Sequence, residues 1–239
     1  MSAFYTPRST CRVLRAAVAT LLLGVGVQAS AVPVTSRAAL AGNDSISWGQ
    51  LGASMTDILV ATDVTTAGGL VVSVSNPSGP LVRFDEGDGI YSGNFALGDP
   101  LLATLFIPGP ISIDFSTGLS RIGAQIKAND FGSFNGVLKV YGVNNLLLET
   151  QTFAGLSNSL QDNSAIFIGI ARVTADIDRV EFNISDSTSP DFAINQVDMQ
   201  VGVVPEPATL AMLLAGLALV GTATARRRAQ RAALTHRQP

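Results

Sequence analysis

The feature that most constrains the fold is a series of short segments in which apolar and polar residues alternate. In one of them, Ile111, Ile113 and Phe115 alternate with Ser112 and Asp114. The same alternation recurs in three further segments, at 122–126, 138–140 and 180–184. Successive side chains of a β-strand point to opposite faces, so each segment predicts a strand with one face on a core and the other in water.

Turn-forming residues separate these segments. Proline interrupts strand pairing, and glycine and asparagine accept the backbone angles of tight turns. Such residues are concentrated at 76–80, 108–110, 129–132 and 187–190. The sequence Val143-Asn144-Asn145-Leu146 predicts a two-residue hairpin. No part of the domain has the apolar spacing of an amphipathic helix, so the sequence predicts an all-β domain over 45–203, an antiparallel β-sandwich of jelly-roll type.

The N-terminal segment has the three parts of a secretory signal peptide. Three arginines within the first 15 residues precede an uncharged apolar run over 16–27, and small residues stand at Ala29 and Ala31. This order predicts a signal peptide over 1–31 that signal peptidase cleaves after Ala31. The apolar run is too short to cross the roughly 30 Å hydrocarbon core of a membrane as a helix. The small and polar residues 32–44 are predicted to form a flexible leader.

The C-terminal segment also consists of three parts. The first, Pro205-Glu206-Pro207, is a rigid tripeptide, because proline fixes its own backbone and extends the residue before it. An uncharged run at 208–225 follows, and at about 1.5 Å per residue it is long enough for a transmembrane helix. The third part, Arg226-Arg227-Arg228, is predicted to stay in the cytoplasm together with the basic tail at 229–239.

This order of tripeptide, spanning segment and arginine cluster, at 204–228, resembles the PEP-CTERM sorting signal. The resemblance implies recognition by an exosortase, a membrane transpeptidase that cleaves near the tripeptide. It also implies a Gram-negative host that makes exopolysaccharide. The protein would be held in the inner membrane by its C-terminal helix for a time, and would then reside in the cell envelope or the extracellular matrix. The alternative is a permanent membrane protein with a single span.

The domain between the two termini contains neither histidine nor cysteine, since Cys11 and His236 are the only ones in the chain. It therefore cannot form a Ser-His-Asp triad, a Cys-His pair or a histidine metal site. Between residues 32 and 204 lie seven of the 15 Lys and Arg and 17 of the 18 Asp and Glu, which gives a formal net charge of −10. An acidic surface repels phosphate backbones, so no nucleic acid is expected as a partner.

Carboxylates are the remaining candidates for metal binding. Three of them, Asp85, Glu86 and Asp88, lie within five residues together with two glycines. Calcium prefers several oxygen ligands on a sharply turned loop, so this run is a candidate calcium site, and an ordinary acidic turn is the alternative. Asp191 and Asp198, near the last strand, are further candidate ligands.

Two functions are compatible with these features. The first is a non-enzymatic envelope or matrix protein that contacts exopolysaccharide. Trp48, Tyr91 and Tyr141 are the aromatic side chains able to stack on sugars, although such residues more commonly pack in cores. The second is a secreted glycan-active enzyme that uses two carboxylates about 5–10 Å apart. Because a sequence does not show which carboxylates face each other, no catalytic residue is predicted.

Overall fold

The computed structural model describes residues 31–202, which are almost entirely β-structure. The strands are, in chain order, β1 Val32–Val34, β2 Asp44–Ile46, β3 Thr56–Ile58, β4 Thr62–Thr65, β5 Val71–Ser75, β6 Leu81–Asp85, β7 Pro100–Thr104, β8 Ile111–Ala128, β9 Gly132–Gly142, β10 Leu146–Ser157, β11 Ile166–Ala171, β12 Ile177–Ser185 and β13 Phe192–Val201. The helical elements of the same region are one short α-helix, α1 Arg37–Leu40, and two 3-10 turns, Trp48–Leu51 and Val143–Asn145.

Strand β8 organises the fold, because its 18 residues belong to two sheets in succession. Its first half pairs with β5 and β12, and its second half pairs with β11 and β13. Strand pairing is continuous through β8 and joins all 13 strands. We call the part around the first half of β8, in the order β4-β5-β8-β12-β9-β10, the first sheet. The part around its second half, in the order β1-β11-β8-β13-β7-β6-β3 with β2 beside β13, is the second sheet. Every pairing between the strands named above is antiparallel.

Gly118 lies where β8 passes from the first sheet to the second. A Cβ atom at this position would lie 2.3 Å from the carbonyl oxygen of Ala175, in the turn before β12. Any larger residue would therefore collide with backbone, and glycine allows the turn to pack directly against the bend.

The core lies between the two sheets and is apolar. Its fully buried residues come from both sheets, among them Ile113, Leu138 and Val180 of the first and Ile126, Ile168 and Ile194 of the second. In β9 buried residues alternate with more exposed ones from Phe134 to Gly142, as a strand with one covered face requires. The predicted all-β, antiparallel, sandwich-like fold is therefore confirmed.

The prediction of a flexible leader over 32–44 is wrong. Val32–Val34 pairs with Gly169–Ala171 of β11 as the edge of the second sheet. Leu40 is fully buried and packs with Val34 and Phe167 in a small cluster of its own. A few apolar residues are thus enough to hold this polar segment against the domain. The backbone hydrogen bonds to the edge of β11 also hold it, and these cannot be predicted from the side chains of the segment.

The predicted hairpin is confirmed, with a loop one residue longer than expected. Gly142 pairs with Leu146, so the loop consists of Val143, Asn144 and Asn145. The two asparagines have φ of 58° and 59°, in the left-handed region that asparagine tolerates better than most residues.

The targeting segments lie outside the described residues. These are the predicted signal peptide up to residue 30, with Ala29, and the C-terminal Pro205-Glu206-Pro207, the predicted helix 208–225, Arg226-Arg227-Arg228 and the basic tail. Strand β1 begins at Val32, the residue after the predicted cleavage site. Between residues 31 and 202 no helix is long and apolar enough to cross a membrane.

Candidate functional site

The three carboxylates of the predicted calcium site are engaged by separate partners. Asp85 forms an ion pair with Arg83 at 2.6 Å. Asp88 accepts a hydrogen bond from the Ser54 hydroxyl and others from backbone N–H groups of its own turn. Glu86 is buried and accepts a hydrogen bond from the Gly93 N–H at 2.7 Å. In the structure this run is an acidic turn, and its three carboxylates do not share a position for a cation.

The other candidate ligands are also engaged separately. Asp191 accepts a hydrogen bond from the Phe106 N–H at 2.9 Å, while Asp198 forms an ion pair with Arg37. Within residues 31–202 no group of three or more Asp, Glu, His or Cys side chains is placed to hold a metal ion.

The acidic turn is the start of a loop that covers the outer face of the second sheet. Between β6 and β7 the chain folds back over this face and forms a second, smaller core with Phe84, Tyr91, Phe95 and Leu101. Beneath the loop lies Lys127, of which only 1% is exposed. The alternation pattern predicts that this face of the sheet is exposed to water, but part of it is buried.

Lys127 is buried, and no carboxylate among residues 31–202 makes an ion-pair contact with it. Its Nζ donates hydrogen bonds to the carbonyl oxygens of Ser92 and Asn129 at 3.2 and 3.4 Å. The same atom lies 5.0 Å from the ring centres of both Tyr91 and Phe131. Burial lowers the pKa of Lys127 to about 8, and it raises the pKa of the neighbouring Glu86 above its usual value. The cluster therefore stabilises a charged lysine less well than water does.

Lys127 should make stability depend on pH in the alkaline range. Its pKa is about 8 in the folded protein and 10.5 in an unfolded chain, so between these values the unfolded state binds the extra proton. The free energy of unfolding should then rise with pH from about 8 to about 10, by about 3 kcal/mol at most. Above this range the raised pKa of buried Tyr91 acts in the opposite direction, because the unfolded state then loses the tyrosine proton first. Urea unfolding at a series of pH values should show this rise in the wild type, and Lys127→Met should lack it. Lys139→Met, at the other lysine of the chain, should keep the rise, and identical profiles for all three proteins would contradict the assignment.

The three aromatic residues considered as candidates for stacking on sugars fall into two groups. Trp48 is fully buried, and its Nε1–H donates a hydrogen bond to the Asn195 carbonyl oxygen at 2.8 Å. Tyr91 belongs to the covering loop itself and is buried next to Phe84. Only Tyr141 is partly exposed, on the outer face of the first sheet.

Tyr141 belongs to a polar cluster that the strand register assembles. Arg179 of β12 pairs with Asp114 of β8 on one side and with Tyr141 of β9 on the other. The Arg179 guanidinium lies over the Tyr141 ring, 4.1 Å from its centre, and contacts Glu181 at 3.2 Å. The Tyr141 hydroxyl donates a hydrogen bond to Glu181 at 2.7 Å. Arg179 is therefore held in place by a ring and a carboxylate.

An open groove of about 480 Å³ borders this cluster. Its walls include Asp114, Asp178 and Arg179 from the sheet and Asn144 and Asn145 from the β9–β10 hairpin. We call it the Arg179 groove. Side chains of these types donate and accept hydrogen bonds in a plane, so they suit a ligand that carries many hydroxyl groups.

One carboxylate in the wall of the groove, Asp114, has a raised pKa. Desolvation raises the pKa of Asp114 against the opposing effect of Arg179, and Glu181 raises it further. Asp114 and Glu181 are diagonal neighbours on adjacent strands, a relation that places Cβ atoms up to about 7–8 Å apart. Each polar residue is visible in its strand pattern, but only the register shows that these residues meet.

The chain is thus an all-β sandwich with a polar groove, and its sequence continues beyond the last strand into the segment that resembles a sorting signal. The model of the PEP-CTERM protein-sorting motif matches residues 203–228. The chain carries this motif, which confirms the resemblance, implies export and implies processing by an exosortase. No curated protein matches the sequence.

Three solved structures are similar to the sandwich at low identity. A DUF4465 family protein from Bacteroides caccae is 10% identical, with a TM-score of 0.40 over 65% of this chain and 99% of that one. CsCBM6-3 from Clostridium stercorarium, in complex with cellobiose, is 14% identical, with a TM-score of 0.30 over 63% and 98%. A glycoside hydrolase family 43 arabinoxylan arabinofuranohydrolase from Bacillus subtilis, in complex with cellotetraose, is 13% identical, with a TM-score of 0.29 over 59% and 33%. Similarity of this extent does not indicate what the present chain binds.

Proposed function

We propose that the chain is a non-enzymatic protein of the cell envelope or extracellular matrix that binds exopolysaccharide through the Arg179 groove. Export and exosortase processing follow from the sorting motif at 203–228. In this proposal the C-terminal helix holds the protein in the inner membrane until cleavage, and the released domain, a jelly-roll-like sandwich, then meets the polysaccharide that its host secretes.

The observation that carries the proposal is the fixed position of Arg179 at the edge of an open, polar groove. Its side chain is only 23% exposed, so little conformational freedom is lost when a ligand binds. Its Nε–H is buried and has no hydrogen-bond partner within the described residues. The guanidinium is thus already oriented at the edge of the groove by the Tyr141 ring and Glu181.

The charge of the groove favours a neutral glycan over an acidic one. In the walls of the groove, the two carboxylates Asp114 and Asp178 outnumber the one cation, Arg179. The domain as a whole has a formal net charge of −10 between residues 32 and 204. A polysaccharide rich in carboxylates would be repelled both by the groove and by the domain as a whole. Hydroxyl groups, in contrast, bond equally well to aspartate, asparagine and arginine.

Replacing Arg179 should weaken glycan binding. We expect Arg179→Ala to lower the affinity for the host's purified exopolysaccharide about tenfold, which corresponds to ~1.4 kcal/mol. Affinity electrophoresis in gels that contain the polysaccharide, dextran as a neutral glucan or alginate as an acidic one would measure this loss. Arg121→Ala, at a half-exposed arginine of β8 in the second sheet, should bind like the wild type. Equal retardation of both variants, or binding to alginate alone, would contradict the proposal.

A glycan-active enzyme is the second candidate, and one observation favours it. Asp114 has a raised pKa and lies diagonally across from Glu181, an arrangement like that of an acid and its partner carboxylate in glycosidases. Release of reducing sugar from exopolysaccharide, abolished by both Asp114→Asn and Glu181→Gln, would establish this activity. Binding without release of sugar would leave the non-enzymatic function.

A further inference from the structure

One edge of the first sheet is long and unpaired. Strand β10, of 12 residues, is the outermost strand of this sheet, and within residues 31–202 it pairs only with β9. The other outermost strands are short, with four residues in β4 and three each in β1, β2 and β3. Short edges offer few consecutive free backbone groups, so β10 presents the longest run of free N–H and C=O groups at the sheet edges described here.

The sequence of β10, LLLETQTFAGLS, protects this edge only in part. It contains no proline or lysine, and its single charge is Glu149. A bulge between Leu147 and Glu149 disturbs the start of the strand, and the Asn94 side chain donates a hydrogen bond to the Leu156 carbonyl oxygen at its end. Bulges and inward-pointing charges are devices that block edge pairing, but here they leave the stretch from Thr150 to Gly155 open.

Exposed leucines stand on both sides of this open stretch. Leu146 and Leu147 are 64% and 51% exposed at one end, and Leu156 is 60% exposed at the other. Between them, Thr150 and Thr152 are exposed and uncharged. The sequence of the strand is therefore nearly symmetric about Gln151, with threonines next to Gln151 and apolar residues towards both ends of the strand.

We propose that a second copy of this chain pairs with β10 in antiparallel register about Gln151. In this register Thr150 of one copy lies opposite Thr152 of the other, and Glu149 lies opposite Phe153. Glu149 of one copy therefore does not lie opposite Glu149 of the other. Leu146 of each copy lies opposite Leu156 of its partner. The two first sheets would join into a single antiparallel sheet with a two-fold axis at its centre.

The free backbone groups identify a strand as the occupant, because only another extended polypeptide supplies donors and acceptors at the required spacing. A second copy supplies the matching register through its own β10, so the pairing is isologous. The inference does not depend on the Arg179 groove, which is bounded by the sheet and by the hairpin that precedes β10.

A cysteine at the proposed axis tests the register. Directly opposed residues of antiparallel strands have Cα atoms about 4.5–5.5 Å apart, within the range that a disulfide spans. In the full-length chain with Cys11→Ser, Gln151→Cys should form a disulfide-linked dimer on mild oxidation. Thr65→Cys, on the opposite edge strand β4, should stay monomeric in the same background. Dimers from both variants, or from neither, would overturn the register.

Charge substitutions test the dimer itself. Thr150→Lys combined with Thr152→Lys places like charges opposite each other, and it should weaken dimerisation at least tenfold in analytical ultracentrifugation of the full-length chain in detergent. Thr150→Glu combined with Thr152→Lys places opposite charges there and should restore the dimer. Both positions are exposed, so circular dichroism should show unchanged folding. A wild type that is monomeric at all concentrations, as when a terminal segment of the chain itself covers the edge, overturns the proposal, and so does a dimer that none of these changes affects.

Discussion

Replacing Pro205, Glu206 and Pro207 with alanine is expected to leave a full-length precursor in the membrane. Proline fixes its own backbone and extends the residue before it, so the sequence predicts a tripeptide without helical hydrogen bonds, which a peptidase can bind. Alanine is the strongest helix former and would let the predicted helix 208–225 extend into the motif. Membrane fractionation in a host that carries an exosortase, with a tag inside the domain, would measure the loss. Normal release of the alanine variant would refute the role of the tripeptide.

The arginine cluster should act differently. Moving each arginine into the bilayer costs roughly 2.5–3.5 kcal/mol on insertion scales, so Arg226-Arg227-Arg228 should keep the tail in the cytoplasm. Neutral residues at these positions should let the tail cross the membrane and give an unprocessed or fully exported chain. A lysine triple variant keeps the charge and should be processed as the wild type is, which separates orientation from recognition of arginine itself.

Trp48→Ala is expected to reduce the free energy of unfolding by about 3–5 kcal/mol, the usual range for a buried tryptophan. Trp48 is fully buried, and its indole N–H bonds the carbonyl oxygen of Asn195. The Asn195 side chain in turn donates hydrogen bonds to Asp99 at 2.9 Å and to Gln125 at 2.6 Å. Loss of the ring would leave a cavity and an unpaired buried carbonyl beside this network, so both packing and polar contacts are affected.

Two controls separate these contributions. Trp48→Phe keeps most of the apolar volume but loses the indole donor, so it should cost less than Trp48→Ala. Phe106→Ala removes an aromatic ring that is 85% exposed and should change stability little. Urea unfolding followed by far-UV circular dichroism would rank the three variants, and a loss as large for Phe106→Ala as for Trp48→Ala would contradict the burial argument.

The strands were predictable because alternation is a local property. The segments 111–115 and 122–126 each alternate as strands should, and both lie in strands of the structure. Their continuity as the single strand β8 is not encoded in that pattern, since the bend at Gly118 depends on the close approach of Ala175. Strand β1 was not predicted for a related reason. It has only three residues, too few to show an alternation of apolar and polar side chains, and it is held by pairing with β11.

The site was less predictable than the fold, because it depends on contacts between strands. Asp114, Tyr141 and Glu181 each occupy an ordinary polar position of a strand, and only the register places them around Arg179. The acidic run at 85–88 has the composition of a cation site, but hydrogen bonds within its turn and the ion pair with Arg83 direct its carboxylates apart. Composition reveals which groups are present, whereas tertiary pairing decides which of them meet.

The position of β13 also determines when the sandwich can close during export. This strand pairs with β8 through much of the second sheet and ends at Val201. The sorting motif begins at residue 203, so the last structural strand and the sorting segment leave the translocation channel almost together. Until then the second half of β8 lacks its partner strand β13 on one side. The second sheet is therefore complete only when the chain has been exported as far as the motif itself.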